Sequence, residues 1–419
     1  MNVFKNYMNF SSLFKNLISL GGLQIANYVF PLLTLPYLIR VLGVENFGQL
    51  SYANTLVSYS TLIINYGFDI SGTREISINR ENSLLTNNIF NEIITSKLYL
   101  YLFSLSIFSI YLFYTNSSFE NNLLIYVIFL GVFGQIIMPA WFFQGIEKMK
   151  YITYFNLISK LFFTLMLFIF VKDKGDILIA AVLTTLGSLI AGILSVFLLY
   201  KTFGISFTLV TPKKVFLQIK KSFHFFISGV GVHFYKNNAI ILIKHFGTAS
   251  DVGYFSIVRK VFEALNGVNS IISQAFLPLT VRDQGNSKKT ISKSINLLFI
   301  VMFSSSFLLF ALTFLFSDQI VLIITGGDDS VTRKCLQLLS FSLFVIGINV
   351  PAVHYIISKG HDRFLTYSVV LGGLLDFILL LVFLPIFSLY GAIYSTVITE
   401  VFVTSILYIY SFKLFKNEK

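Results

Sequence analysis

Apolar runs of about 20 residues recur along the whole chain, and nothing else in the sequence restricts its fold as much. Charged residues make up 12% of the 419 positions, about half the share usual in soluble proteins. A backbone inside a bilayer must satisfy its own hydrogen bonds, and runs of this length do so as helices. The expected fold is therefore all-α and integral to the membrane, with twelve transmembrane helices. Their approximate positions are 17–39, 49–70, 93–114, 122–143, 151–171, 177–200, 222–243, 252–276, 295–317, 335–357, 366–387 and 390–412. The first run is full-length and lacks a small-x-small cleavage site, so it reads as a span rather than a cleaved signal. The single cysteine, Cys335, excludes an internal disulfide and a cysteine-based metal cluster.

The net charge of +12 follows from where the bases sit, and no nucleic-acid partner is expected. With the N-terminus inside, 20 lysines and arginines fall in cytoplasmic loops and tails, against six in external ones. This asymmetry places both termini in the cytoplasm. The external loops are short. The longest, around Asp318–Lys334, carries Gly326-Gly327-Asp328-Asp329 and is too small for a catalytic domain.

The stretch 201–221 holds five lysines (Lys201, Lys213, Lys214, Lys220 and Lys221) and cannot comfortably cross a bilayer. Thr211-Pro212 reads as a helix start. Val215, Phe216, Ile219 and Phe223 then share one helical face, which predicts a short interfacial helix on the anionic leaflet; a solvated basic linker is the alternative. The domains expected are a six-helix lobe at 1–200, this linker at 201–221, and a second lobe at 222–419. The halves repeat weakly. Arg40, Gly43 and Gly48 after span one match Lys244, Gly247 and Gly253 after span seven. Gly145-Ile-Glu147-Lys148 matches Gly360-His-Asp362-Arg363, and Tyr200-Lys-Thr-Phe203 matches Phe412-Lys-Leu-Phe415. Six spans per half keep equivalent spans parallel, so the two bundles are related by a pseudo-two-fold axis along the membrane normal.

Charges inside spans are costly and mark functional positions. The bases are Lys97, Lys160, Lys236, Arg259 and Lys260; the acids are Asp69, Glu263, Asp376 and Glu400. Arg259 and Glu263 stand i,i+4 and can neutralise each other, which leaves Lys260 about 100° away on the helix. Lys97 and Lys160 are near enough to span ends to snorkel. Asp376, in Gly372-Gly-Leu-Leu-Asp376, reads either as a structural hydrogen-bond partner or as an ion-coupling carboxylate. His354 reads as a boundary residue. Pro31, Pro36, Pro139 and Pro351 should kink their helices. No catalytic residues, no metal-ligand spacing and no phosphate-binding glycine loop appear, so neither an enzyme nor a cofactor is expected.

The Arg40-x-Leu-Gly43-x-x-x-Phe47-Gly48 exit, the Gly67-Phe-Asp-Ile-Ser-Gly72-Thr-Arg74-Glu75 segment and the Trp141-Phe-Phe-Gln144-Gly145-x-Glu147-x-Met149 segment together resemble Wzx-type polysaccharide flippases. These belong to the multidrug/oligosaccharidyl-lipid/polysaccharide exporter superfamily. The resemblance implies export of undecaprenyl-diphosphate-linked oligosaccharide from the cytoplasmic to the periplasmic leaflet of the bacterial inner membrane, by rocking of two lobes around a cationic cavity. Lys236, Arg259 and Lys260 would then meet diphosphate or acidic sugar, with Gln24 and Asn27 contributing hydrogen bonds from helix one. The implied partners are the lipid-linked substrate, membrane lipids, and a polysaccharide polymerase with its chain-length regulator; the protein itself would be a monomer. A small-molecule antiporter of the same superfamily and a membrane polysaccharide polymerase or ligase are the alternatives.

Overall fold

The computed structural model describes residues 10–115, 118–282 and 288–417, with side chains from residue 29 onward apart from 116–117, 232, 278, 281–293 and 417–419. The described residues form helices and connections, with no strand among them. The helices are α1 (Phe10–Asn65), α2 (Phe68–Asn79), α3 (Ser83–Tyr114), α4 (Phe119–Ile137), α5 (Ala140–Gly145), α6 (Lys150–Phe170) and α7 (Ile177–Phe203). After them come α8 (Pro212–Phe246), α9 (Ala249–Arg282), α10 (Lys288–Leu315), α11 (Ser317–Thr325), α12 (Ser330–Ser358), α13 (Asp362–Phe387) and α14 (Leu389–Asn417). Among the described residues, nine segments are long and apolar enough to cross a membrane. The protein is a multi-pass membrane protein. Three differences separate nine from twelve. Expected spans one and two merge in α1, and α8 and α9 are not among the nine. These two helices carry His233, Lys236, Asn237 and Asn238, and Arg259, Lys260, Glu263, Asn266 and Asn269.

Two compact units can be distinguished. One comprises Met1–Phe30 and Ala53–Val230, the other Pro31–Tyr52 and Gly231–Lys419. The stretch 201–221 thus lies wholly inside the first unit, which runs on to Val230, while the exit from the first span groups with the second.

In the first unit, α4 packs on α7, α7 on α6, and α2 on both α3 and α5. Small residues make the close approaches possible. A Cβ at Gly134 would fall 2.5 Å from the Ser188 carbonyl carbon, and one at Gly187 would fall 3.0 Å from the Ser159 oxygen. Hydroxyls then bond across the seam: Thr185 Oγ1 donates to the Val127 carbonyl at 2.7 Å and Ser188 Oγ to that of Gly131 at 2.9 Å. Pro139 ends α4 and opens α5. Pro31 and Pro36 remain inside α1, and Pro351 inside α12. The break in α1 falls instead at Gly43 (φ 80°, ψ 165°), a conformation essentially restricted to glycine.

The lysine stretch departs from its expected form. Gly204 ends α7 in a left-handed conformation, and residues 205–211 then run without regular structure along α3. Ser206 N–H donates to Asn87 Oδ1 at 3.0 Å, Thr208 N–H to Asn91 Oδ1 at 3.0 Å, and Val210 N–H to Thr95 Oγ1 at 3.4 Å. Asn91 Nδ2 returns a bond to the Ser206 carbonyl at 3.0 Å. Four residues of helix rise about 6.0 Å and two residues of extended chain about 6.8 Å. Side chains at i, i+4 and i+8 therefore meet every second amide of an extended segment. Pro212 then opens a helix that continues unbroken to Phe246, rather than a separate short one. In its first turns, up to Phe223, the buried positions are Val215, Gln218 and Ser222, whereas Phe216 and Phe223 are exposed. The buried face is polar because it docks on protein. Ser222 Oγ meets Ser71 Oγ at 2.8 Å, Gln218 Nε2 donates to Glu75 at 3.3 Å, Lys214 pairs with Glu92 at 3.4 Å and Lys221 with Glu75 at 3.8 Å.

In the second unit α12 packs against α10, α14 and α9, and α13 against α14. Here the repeated turns meet. A Cβ at Gly48 would collide with the backbone of Ala249 and Gly253, and a Cβ at Gly253 would collide with that of Val44. Ala249 stands four residues before Gly253, and Val44 four before Gly48, so the two turns contact each other reciprocally. Arg40 donates from Nη2 to the Leu322 carbonyl at 3.3 Å and also to that of Ile323, covering the C-terminal end of α11. A guanidinium there adds to the Gly326 N–H that already bonds the Leu322 carbonyl and meets the negative end of the helix dipole. His354 is buried (2% exposed), with Ser273 Oγ 2.9 Å from Nε2 and Thr280 Oγ1 3.1 Å from Nδ1. It links α9 to α12 and is no boundary residue.

Candidate functional site

Each unit carries a group of the sequence-selected residues. In the first, the two flippase-like segments pack together. A Cβ at Gly72 would lie 2.8 Å from the Trp141 ring, and one at Gly145 would lie 2.6 Å from the Ile76 side chain. Thr73 Oγ1, 2.6 Å from the Asp69 carbonyl, also lies 3.2 Å from the Trp141 carbonyl and from Gln144 Oε1. Arg80 and Glu147 close the assembly with a 2.6 Å ion pair. These segments fix Trp141, 1% exposed, against a cavity of about 470 Å³ inside the unit.

Polar side chains line much of this cavity. Asn65 comes from α1, Asp69 from the first turn of α2, Lys97 from α3 and Gln135 from α4. Asn156, Ser159 and Lys160 come from α6, and Thr184 and Ser188 from α7. Lys97 is 3% exposed, and its ammonium donates to Asn65 Oδ1 at 2.9 Å and Asp69 Oδ1 at 3.2 Å. It does not snorkel, because α3 starts at Ser83 and puts Lys97 well inside the helix rather than at its mouth. Gly67 in the left-handed conformation (φ 74°) breaks the chain between α1 and α2. That break turns Asp69 towards Lys97, near a helix N-terminus that favours a carboxylate. Lys160 is half-buried on the same wall.

The second unit holds the others. Arg259 Nε donates to Glu263 Oε1 at 3.0 Å, so these two neutralise each other along α9. Lys260 and Lys236 are exposed. Asp376 is 5% exposed and accepts from Ser395 Oγ at 2.7 Å. Glu400 accepts from the Tyr235 hydroxyl at 2.5 Å. Gln24 and Asn27 lie outside the residues whose side chains are described. The structure thus brings Lys97, Lys160 and Asp69 together, and separately groups Asp376 and Glu400 with hydroxyl partners. Gln135, Asn156, Tyr235 and Ser395 were not selected from the sequence, and Trp141 entered only as part of a family-like segment. A lone amide such as Gln135 or Asn156 inside an apolar run was the available signal.

A family model described as "Polysaccharide biosynthesis protein" matches residues 13–284, more than half of the chain. The chain belongs to this family. Among curated relatives, a "Putative O-antigen transporter" of Escherichia coli (strain K12) is 28% identical, over 94% of this chain and 96% of that protein. A protein of the same name from Shigella dysenteriae is 27% identical, over 93% and 97%. Among solved structures, lipid II flippase MurJ in an inward closed conformation superimposes with a TM-score of 0.71 at 15% identity, covering 96% of this chain and 87% of that one. An inward-facing multidrug resistance MATE family transporter of the MOP superfamily gives 0.69 at 13% identity, covering 92% and 98%. At these identities the structural likeness carries the fold alone. The fold is that of these transporters. Within the polysaccharide biosynthesis family, the segments matched here include every wall of the Lys97 cavity.

Proposed function

We propose that this protein is a flippase that moves an undecaprenyl-diphosphate-linked oligosaccharide from the cytoplasmic to the periplasmic leaflet by alternating access of two lobes. Family membership, relatives named as O-antigen transporters, and a fold shared with a lipid II flippase support the reading. The observation that carries it is the cavity of the first unit, where two lysines and several amides line a space within an apolar helical unit. Such groups are expensive to keep there unless a polar cargo uses them. Lys97 and Lys160 face the glycan in this reading. Arg259, Lys260 and Lys236 meet the diphosphate, with Gln24 and Asn27 adding hydrogen bonds. Asp376, Glu400, Glu263 and Asp69 are the candidates for ion coupling. The protein resides in the bacterial inner membrane as a monomer with both termini in the cytoplasm, and supplies a polysaccharide polymerase and its chain-length regulator.

The test is the leaflet location of lipid-linked oligosaccharide, read with a membrane-impermeant sugar-labelling reagent in cells with and without the gene, beside Arg259→Ala and Lys236→Ala. Deletion should trap the complete unit on the inner side. Normal delivery with failed polymerisation would make the protein a polymerase or ligase, and no change in either would favour a small-molecule antiporter.

A further inference from the structure

The first turns of α8 present two opposite faces. Val215, Gln218 and Ser222 are buried against the first unit. The other side carries Lys213, Phe216, Leu217, Lys220, Phe223 and Ile227, all exposed. At about 100° per residue these six fall within one arc of about 120°, opposite the buried three. Bases and large apolar groups thus share a single stripe. Neither water nor hydrocarbon alone suits it. Phe216 is 66% and Phe223 53% exposed, while an ammonium group in hydrocarbon is costly. The boundary between the two satisfies both kinds of side chain, with lysine stems along acyl chains and their charges among headgroups.

The position of the stripe agrees. The sequence places a span at 222–243, and α8 already begins at Pro212, so it projects about 15 Å beyond that span. Lys220 then stands within the headgroup layer, about 5–8 Å deep, and Lys213 beyond it. The strap leading into Pro212 has the same character, with Phe207 and Leu209 exposed.

A recess of about 450 Å³ opens beside the stripe, lined by Glu92, Lys214, Leu217, Lys220 and Lys221. Its carboxylate is already engaged. Glu92 pairs with Lys214 at 3.4 Å, and Lys221 turns to Glu75 at 3.8 Å. Among the described residues Lys220 pairs with no carboxylate. An anion brought to Lys220 therefore displaces no partner, and Lys214 and Lys221 add to its attraction. An acidic protein segment would answer the bases alone. The apolar members run on through Phe223 and Ile227 into the expected span, where the neighbour is an acyl chain.

We infer that this recess and stripe bind an anionic phospholipid, its phosphate at Lys220 and its acyl chains along Phe216, Leu217 and Phe223. The site adjoins the ion pairs that tie α8 to α2 and α3, so an occupied site reinforces that docking. The inference does not rest on the flippase reading, and trapping of the lipid-linked unit in deletion cells bears on that reading alone.

Native mass spectrometry of the purified full-length protein counts retained lipid during titration with phosphatidylglycerol, phosphatidylcholine or undecaprenyl diphosphate. Phosphatidylglycerol should be carried in preference to phosphatidylcholine. Lys220→Gln should weaken it about fivefold, the weight of one lysine beside an anionic headgroup. Lys213→Gln should weaken it less, and Lys416→Gln, at an exposed position of the second unit, should leave it unchanged. Thermal unfolding in nanodiscs is the second reading. The wild-type melting point should rise as phosphatidylglycerol replaces phosphatidylcholine, and Lys220→Gln should lose that rise while matching wild type in phosphatidylcholine alone. Equal binding of the two phospholipids, or a preference unchanged in Lys220→Gln, would overturn the inference. So would displacement of phosphatidylglycerol by inorganic phosphate, which would leave a bare anion site. Undecaprenyl diphosphate held more tightly than phosphatidylglycerol, and lost in Lys220→Gln, would make the recess a cargo site instead.

Discussion

Gly48 and Gly253 show how much a single absent methyl group decides. Each sits where a side-chain carbon would enter the backbone of the opposite turn. Gly48→Ala should therefore destabilise by about 1–3 kcal/mol, as overpacking does, whereas Gly175→Ala, with nothing within 4 Å of the added carbon, should stay within about 0.5 kcal/mol of wild type. Thermal unfolding in detergent compares the two, and equal melting points would refute the reading. Lys97 teaches a different lesson at the same scale. Its charge stood out in the sequence, but its depth did not. The expected span begins at residue 93, whereas α3 starts at Ser83 and takes in Asn87, Asn88 and Asn91. Those amides are polar because two of them hold another segment of chain, not because they face water.

Among the elements, the strap of residues 205–211 along α3 is the clearest case of one secondary structure serving another. Asn91 is 2% exposed and bonds both the Ser206 carbonyl and the Thr208 amide. Asn91→Ala strands two backbone groups, with a cost of about 1–3 kcal/mol for a buried unsatisfied group. Amide hydrogen exchange should rise at 206–210 and stay unchanged in α7; protection retained across 206–210 would show that the strap is held by something else. The lysines that follow contribute less. Lys214 and Lys221 are more than half exposed in their pairs with Glu92 and Glu75, and pairs of that kind contribute about 0–1 kcal/mol. The helical runs were legible because a bilayer demands length and apolarity. The continuity of α8 was not, since five lysines suggested a surface helix where three buried positions dock on protein.

For the whole molecule, the uneven lysine distribution predicts orientation. Cys335 is the only cysteine and is fully buried, so it should not react with bulky thiol reagents in the folded protein. Single cysteines placed at Lys213 or Lys416 should be shielded from an impermeant maleimide added to intact cells. Cysteines at Lys174 or Asp328 should react. Labelling at Lys416 from outside would reverse the topology.

The reciprocal contact between residues 44–48 and 249–253 also speaks to origin. A half-length ancestor that paired with its own copy would have made this contact twice across a true two-fold axis, glycine to the partner's backbone both times. In a chain made by duplication and fusion of such an ancestor, the two copies would be free to diverge almost everywhere else. At this crossing they would not be free independently. A bulkier residue on either side would have to be accommodated by the other, so across relatives the two turns should change together or not at all.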